Sequence, residues 1–353
     1  MLHMKKVTLQ VIADELNVSK ALVSKALSND PSVNDLTKEN IWKKAEEMGY
    51  RVKLARMKFS AAQTGNIAVL MPRAYLDDIE YWGKVLQGIE SELNQHKFSM
   101  ILSSIDLTLT SKEALPTSIL EKKVDGAIVM GHLPESYIEL LKDNHFPFVM
   151  LDANLMDPTI DHILANNYLG AYRATTHLLE NGHRRLGFVG DKNTSWSFRE
   201  RHRGFHEAIE DFTRKQSEPA QGAVIPGIGV SGTGMYVSSE LPDSLEKELT
   251  GSTPLTSLFC ANDLTAFEVL SVMDRLGLRC PDDVSVVGFD DLTLCEMMQP
   301  KLTTVRVPKA DIGIRAVQVL LRRIENPEIT PEHVLLSTQL IQRASVVKAA
   351  SQE

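Results

Sequence analysis

Two groups of side chains in this sequence have types and spacings suited to recognition. In the first, Lys20, Ala21, Ser24 and Lys25 recur at i, i+1, i+4 and i+5, which is one face of a short helix. Lysine ammonium groups suit the guanine acceptors of the DNA major groove and a methyl side chain suits thymine, while the hydroxyls of Thr8, Ser19 and Ser24 suit phosphate oxygens. In the second group, Tyr81 and Trp82, Asp152, Asn262 with Asp263, and Asp290 with Asp291 follow short apolar runs. Arg199, Arg201 and Arg203 stand together in SFRERHRGF. An acid, an amide and a guanidinium that converge on a cleft hold hydroxyl groups by paired hydrogen bonds, and an indole face suits the CH face of a sugar ring. That chemistry is carbohydrate-like binding. Each residue also has a plainer role open to it. Trp82 lies on an apolar stripe and fits a core equally well, Asp290 or Asp291 fits a helix cap, and any of the three arginines fits a solvated surface.

Catalytic and metal signatures are missing. Gly227-Ile228-Gly229-Val230-Ser231-Gly232 is formally a dinucleotide-binding fingerprint, yet Pro226 precedes it and no helical pattern follows until Leu241, so it reads as a flexible loop. His202 and His206 share a helix face without a third ligand near in sequence, which argues against a metal site. No G-x-S-x-G, Walker A loop or Cys/His cluster occurs, and Cys260, Cys280 and Cys295 read as reduced, mostly buried thiols. No enzyme activity, metal or cofactor is expected.

The elements that must position these residues are legible in the apolar spacing. Thr8 can cap a first helix carrying Val11, Ile12 and Leu16, and Ser19 can cap a second carrying Leu22, Val23, Ala26 and Leu27. The turn between them is tight, and small Ala13 lets the helices cross closely, a layout that places a second helix in the major groove. Asn34 can start a third helix through Ile41 and Ala45 to Gly49. A basic, then small and polar, linker follows Tyr50. From Asn66, apolar runs at 67–71, 99–103, 126–130, 148–151, 186–190, 257–260 and 284–288 alternate with amphipathic helices, which predicts parallel sheets covered on both faces. Ile79, Trp82, Val85, Leu86, Ile89 and Leu93 form one helix stripe, and Leu169, Tyr172, Arg173, Thr176 and Leu179 a second. The sheet pattern restarts after the second stripe, so the body has two lobes, with ligands expected outside the carboxyl ends of the strands.

TLQVIADELNVSKALVSKALSNDPSVNDLT followed by Gly49-Tyr50 resembles the headpiece of the lac repressor (LacI/GalR) family, and NNYLGAYRATTHLLENGHRRLGFVG resembles that family's passage into its second subdomain. The resemblance implies an N-terminal three-helix helix-turn-helix headpiece on a two-lobed, doubly wound α/β body of periplasmic-binding-protein type. It implies DNA contacts at Thr8, Ser19, Lys20, Ala21, Ser24 and Lys25, with Phe59 at the position of an apolar wedge for the minor groove. The hinge departs from the family pattern, with Val52 and Lys53 after the Tyr-Arg pair and Leu54-Ala55-Arg56 one residue early. For the effector, the resemblance selects Arg201, three residues before Gly204, together with Tyr81, Trp82, Asp152, Asn262 and Asp290. It weakens between Phe212 and Thr253, where the family has a glycine-led helix.

Composition agrees with this organisation. The first 60 residues hold 11 Lys and Arg against 7 Asp and Glu, a net of +4, in a chain of net −8, leaving −12 for the rest. Positive charge is gathered where DNA would lie. Hydrophobic residues at 43% and charged residues at 24% are those of a soluble globular chain, no apolar run reaches membrane-spanning length, and MLHMKKVT lacks the apolar core of a signal peptide. The expectation is a cytoplasmic regulator with a headpiece and hinge at 1–60 and an effector-binding and dimerisation body at 61–353, its lobes linked by crossovers near 165, 291 and 325. It would bind double-stranded operator DNA as a homodimer, without a membrane, under control of a small molecule, a sugar or related metabolite. A carbohydrate-binding protein without a regulatory role and a sugar-modifying enzyme are the alternatives.

Overall fold

The computed structural model describes residues 8–27, 30, 32–48, 63–105, 115–144, 146–153, 157–216, 219–231 and 234–350. Phe59 and the expected hinge lie outside these residues. The chain divides into two compact units, 1–65 and 66–353.

The first unit contains α1 (Leu9–Leu16), α2 (Lys20–Leu27) and α3 (Asp35–Glu47). Each begins with a side-chain cap: Thr8 Oγ1 accepts from the Val11 amide, Ser19 Oγ from Leu22 and Asn34 Oδ1 from Thr37. α1 stops at Asn17, whose φ of 55° turns the chain out of the helix. Ile12, Ala13, Val23, Ala26, Leu27, Val33, Ile41 and Ala45 form one buried cluster, so the three helices share a small core.

The second unit opens with β1 (Asn66–Pro72), a 3-10 turn over Arg73–Asp77 and a π-helical turn over Ile79–Gly83. Next come α4 (Lys84–Gln95), β2 (Ser99–Ile105), α5 (Thr117–Leu120), β3 (Gly126–Met130), α6 (Glu135–Asp143), β4 (Phe148–Leu151) and β5 (Asp161–Ala165). The chain continues through α7 (Asn167–Glu180), β6 (Arg185–Val189), α8 (Trp196–Lys215), β7 (Gln221–Ile225), β8 (Ile228–Ser231), β9 (Gly234–Val237), α9 (Leu241–Thr250), β10 (Ser257–Cys260), α10 (Asp263–Arg275), β11 (Ser285–Val287), α11 (Leu294–Met297) and β12 (Thr304–Arg306). It closes with α12 (Lys309–Glu325), β13 (His333–Leu336) and β14 (Gln339–Ile341). Two separate parallel sheets result, ordered β13-β5-β4-β3-β1-β2 and β11-β10-β6-β7. Their inner strands are buried nearly throughout, as continuous apolar runs require, while the edge strands β2, β7 and β13 are partly exposed.

Several sequence expectations need correction. The chain does not leave the second sheet at 291: the segment to Arg306 stays on it, with Val287 bridging Thr303 and with Cys295 and Leu302 in that half's core. It does not return at 325 either, because β13 joins β5 at the edge of the first sheet before β14 pairs with β12. The three passages therefore lie near 166, 307 and 337. Ile79 is 72% exposed rather than part of the α4 stripe, since the π-helical turn rotates it away from Val85, Ile89 and Leu93. On α7 the buried residues are Asn167, Gly170, Ala171, Ala174, Thr175, Leu178 and Leu179, four of them small, rather than the stripe through Tyr172 and exposed Arg173. A Cβ on Gly204 would stand 2.3 Å from the Tyr168 carbonyl oxygen, so the crossing of α7 and α8 needs glycine. The Gly-rich stretch near 230 is not a loop but an antiparallel hairpin of β8 and β9.

Candidate functional site

In the first unit, burial of Val23, Ala26 and Leu27 leaves Lys20, Ala21, Ser24 and Lys25 on the exposed face of α2. Thr8 and Ser19 are exposed at the starts of α1 and α2. Their hydroxyl oxygens are taken as caps, but the O–H of each can still donate to a phosphate. This face combines two cations, a methyl and three hydroxyls.

The second unit carries a cavity of about 100 Å³ at the carboxyl ends of both sheets. Tyr81, Trp82, Asp152, Arg201, Asn262 and Asp290 all line it. The first sheet supplies Tyr81 and Trp82 from the π-helical turn after β1, and Asp152 directly after β4. The second supplies Arg201 from the second turn of α8, Asn262 after β10 and Asp290 after β11.

Arg201 is 3% exposed and organises this end of the second sheet. Its Nε donates to Asn167 Oδ1 at 2.8 Å, Nη1 to the Ala261 carbonyl at 2.6 Å and Nη2 to Asp290 Oδ1 at 3.3 Å. The guanidinium lies 3.8 Å from the centroid of Phe289. Of its five N–H donors, two remain for a ligand. Asp290 is pushed up to about 7, because burial disfavours the carboxylate more than Arg201 and Lys309 favour it. Lys309 donates to the Asp290 carbonyl and is itself lowered by burial.

Opposite, Asp152 accepts from Ser197 Oγ at 2.8 Å and from the Tyr81 hydroxyl at 3.3 Å. Burial and the nearby Asp152 carboxylate raise Tyr81 well above the ordinary phenol range, so it remains a donor. Trp82 is only 7% exposed and stacks on Tyr75 at 5.0 Å with a 6° angle between planes, so the core and pocket roles coexist. Asn262 caps α10, accepting from the Thr265 amide and hydroxyl at 2.9 and 2.6 Å. Asp263 faces away from the pocket set, accepting from Thr304 Oγ1 and the Leu292 amide. Asp291 pairs with Arg306 and Arg343.

Sequence reading missed Tyr75, Asp78, His132, Ser195, Ser197, Phe198, Leu264 and Leu292 in the lining. Ser195 had a usable signal, since it caps α8 through the Phe198 amide. His132 and Tyr75 meet only in three dimensions: a side chain at Gly131, φ 77°, would collide with the Tyr75 ring, so that glycine makes room for it. Asp152, Asp290 and Asp291 hold φ of 48°, 112° and 54°, a left-handed backbone at the site that non-glycine residues rarely adopt. Three helical N-termini, capped by Asp78, Ser195 and Asn262, open at the cavity and present their positive ends to it.

A helix-turn-helix unit in one chain with a two-lobed parallel α/β body and a polar cleft between its sheets defines a DNA-binding regulator of periplasmic-binding-protein-like build. Residues 175–346 match the periplasmic binding protein-like domain family. The chain is 28% identical over 343 residues to the HTH-type transcriptional repressor PurR of Aliivibrio salmonicida (strain LFI1238), covering 97% of this chain and 99% of that one. Its fold is similar to the lac repressor dimer bound to operator and the anti-inducer ONPF, with TM-score 0.68 and 22% identity over 97% of this chain and 100% of that one. It is also similar to a LacI family transcriptional regulator from Enterococcus faecium with bound ribose, with TM-score 0.65 and 26% identity over 81% and 100%. Over nearly its whole length the chain is thus similar to a helix-turn-helix transcriptional repressor, and over 81% of it to a LacI family transcriptional regulator.

Proposed function

We propose that this regulator is a repressor that binds a near-palindromic operator as a homodimer and answers to a sugar or related polyhydroxyl metabolite held between its two lobes. The observation that carries this is the convergence of Arg201, Asp290 and Asp152 on one largely buried cavity, in a chain that also presents the exposed lysine face of α2. Carboxylates and a guanidinium pair with vicinal hydroxyls, and Trp82, Phe198, Leu264 and Leu292 supply apolar contact for ring CH groups. Lys20 and Lys25 address base edges, Ala21 a thymine methyl, and Thr8, Ser19 and Ser24 the phosphates, while Phe59 is the candidate minor-groove wedge. The head and hinge occupy 1–60 and the effector body 61–353. The protein acts in the cytoplasm; no helix among the described residues is long and apolar enough to cross a membrane. Effector binding changes the relative angle of the lobes and so the fit of paired heads to DNA.

The test is selection of genomic fragments by the purified protein at moderate salt, repeated with a panel of sugars. The expected result is an enriched palindrome whose half-sites lie about one helical turn apart, with retention altered by one class of sugar. Arg201→Ala should keep operator binding and lose the sugar response. A normal response in that variant overturns the pocket assignment, and turnover of a sugar by the wild-type protein would favour the enzyme alternative.

A further inference from the structure

A second constellation lies on another face of α8 from Arg201. His202 and His206, half-buried, bring their Nε2 atoms to 2.9 Å, with ring centroids 4.3 Å apart and planes at 59°. We propose that these two histidines form a chelating site for a divalent first-row transition metal ion, Cu²⁺, Ni²⁺ or Zn²⁺, separate from the effector cavity.

The separation of the two nitrogens suits chelation. Metal–imidazole bonds are about 2.0–2.1 Å long, so two nitrogens bound at a right angle stand about 2.9 Å apart. The two Nε2 atoms already have that bite. As a metal-free pair they share one hydrogen, donated from one ring to the lone pair of the other. When both rings carry their hydrogen on Nδ1, both Nε2 lone pairs are free to bind a metal ion, with no change in net proton count.

The rings are also held in place. His202 meets the edge of Phe188 in β6 at 5.2 Å and 89°, and His206 meets Phe205 at 5.2 Å and 82°. Little side-chain freedom is left to lose on chelation. Burial, the neighbouring imidazole and Lys192 hold His202 down to about 4, and burial with Lys192 lowers His206, so both rings are neutral, the ligating form, at physiological pH. Glu210, one turn further along, is the acidic neighbour of His206 and favours a cation there.

The pair opens into a broad groove of about 810 Å³ that includes Lys192, Asn193, Trp196, Glu207 and Glu210. Among the described residues no cluster of three or more His, Cys, Asp or Glu side chains is placed to hold a metal. The protein therefore supplies two ligands and water the others, which makes the ion exchangeable, with Cu²⁺ bound most tightly. His202 directly follows Arg201, so occupancy would stiffen the same turn of α8 that faces the effector cavity.

The test uses the full-length protein freed of metal and titrated with Cu²⁺ or Ni²⁺ alone, followed calorimetrically. One ion per chain is expected, and the electron paramagnetic resonance spectrum of the Cu²⁺ form should show coupling to two imidazole nitrogens. His202→Gln and His206→Gln should each weaken binding by about tenfold or more. His162→Gln, which alters the other close histidine pair with His333, should leave binding unchanged. Absence of binding, a Cu²⁺ spectrum without two imidazole nitrogens, or unchanged affinity in the His202→Gln/His206→Gln double variant would overturn the proposal. The spectrum of the wild-type protein decides even if a variant folds poorly.

Discussion

Asp290 shows why the pocket is poised rather than passive. Its carboxyl keeps a proton to about pH 7 in the folded chain, whereas an unfolded Asp releases it near pH 4. The folded state thus holds the extra proton between those values. The stability contributed by this group is whole below about pH 4 and is lost as pH rises through 7. Asp290→Asn should flatten the decline of unfolding free energy over that window, checked by urea titrations at stepped pH. Asp263, raised to about 6 mainly by burial, acts in the same direction and remains in the variant. A ligand hydroxyl donating to Asp290 favours its charged form, so effector binding near pH 7 should release protons in wild type and not in the variant. Calorimetry in buffers of different ionisation enthalpy reads that difference. Five of the six pocket residues were legible because strand ends in α/β proteins face ligands, which turns a polar residue after an apolar run into a site candidate, whereas Arg201 was separated from Arg199 and Arg203 only by the family resemblance. Tyr75 and His132 were not legible, because their meeting over Gly131 depends on which strands are neighbours, and local spacing carries no such information.

The helix pair α7 and α8 carries Arg201 to its position. Their crossing distance is fixed by Gly204 against the backbone of Tyr168 and Tyr172. Gly204→Ala should push the helices apart, costing about 1–3 kcal/mol in a thermal or chemical unfolding measurement. It should also weaken the effector response, because the Asn167 that receives Arg201 Nε sits at the start of α7. An unaltered midpoint would show that the contact relaxes freely. Sequence periodicity located α7 but assigned it the wrong face. A face of Gly, Ala and Thr gives a weak apolar signal, and the tightest helix contacts use those residues. The seven apolar runs all became strands, whereas β12, β13 and β14 are short, polar or half-exposed and offer little alternation to detect.

The two halves of the body touch outside the sheets through Glu80. Its carboxylate accepts from the Thr293 hydroxyl at 2.7 Å and the Thr293 amide at 3.2 Å, and these bonds together with Lys84 hold it down to about 2. This contact joins the turn after β1 to the segment after β11 and latches the arrangement that encloses the cavity. Thr293→Ala should weaken effector binding about two- to tenfold, as expected for one partly exposed hydrogen bond to a charged group, with little change in thermal stability. Unchanged affinity would show that the latch is incidental. The passages near 166, 307 and 337 have a further consequence, for synthesis. The first sheet waits for β13 at 333–336 to cover β5, and the second waits for Ser345 and Val347, which bond to β11. Neither half is contiguous in sequence. A chain emerging from the ribosome can complete its three-helix head early, since that core draws on residues 9–48. The first lobe stays unfinished until residue 336 is made and the second until residue 347, so a growing chain can acquire a folded DNA-reading head well before it has a finished ligand pocket.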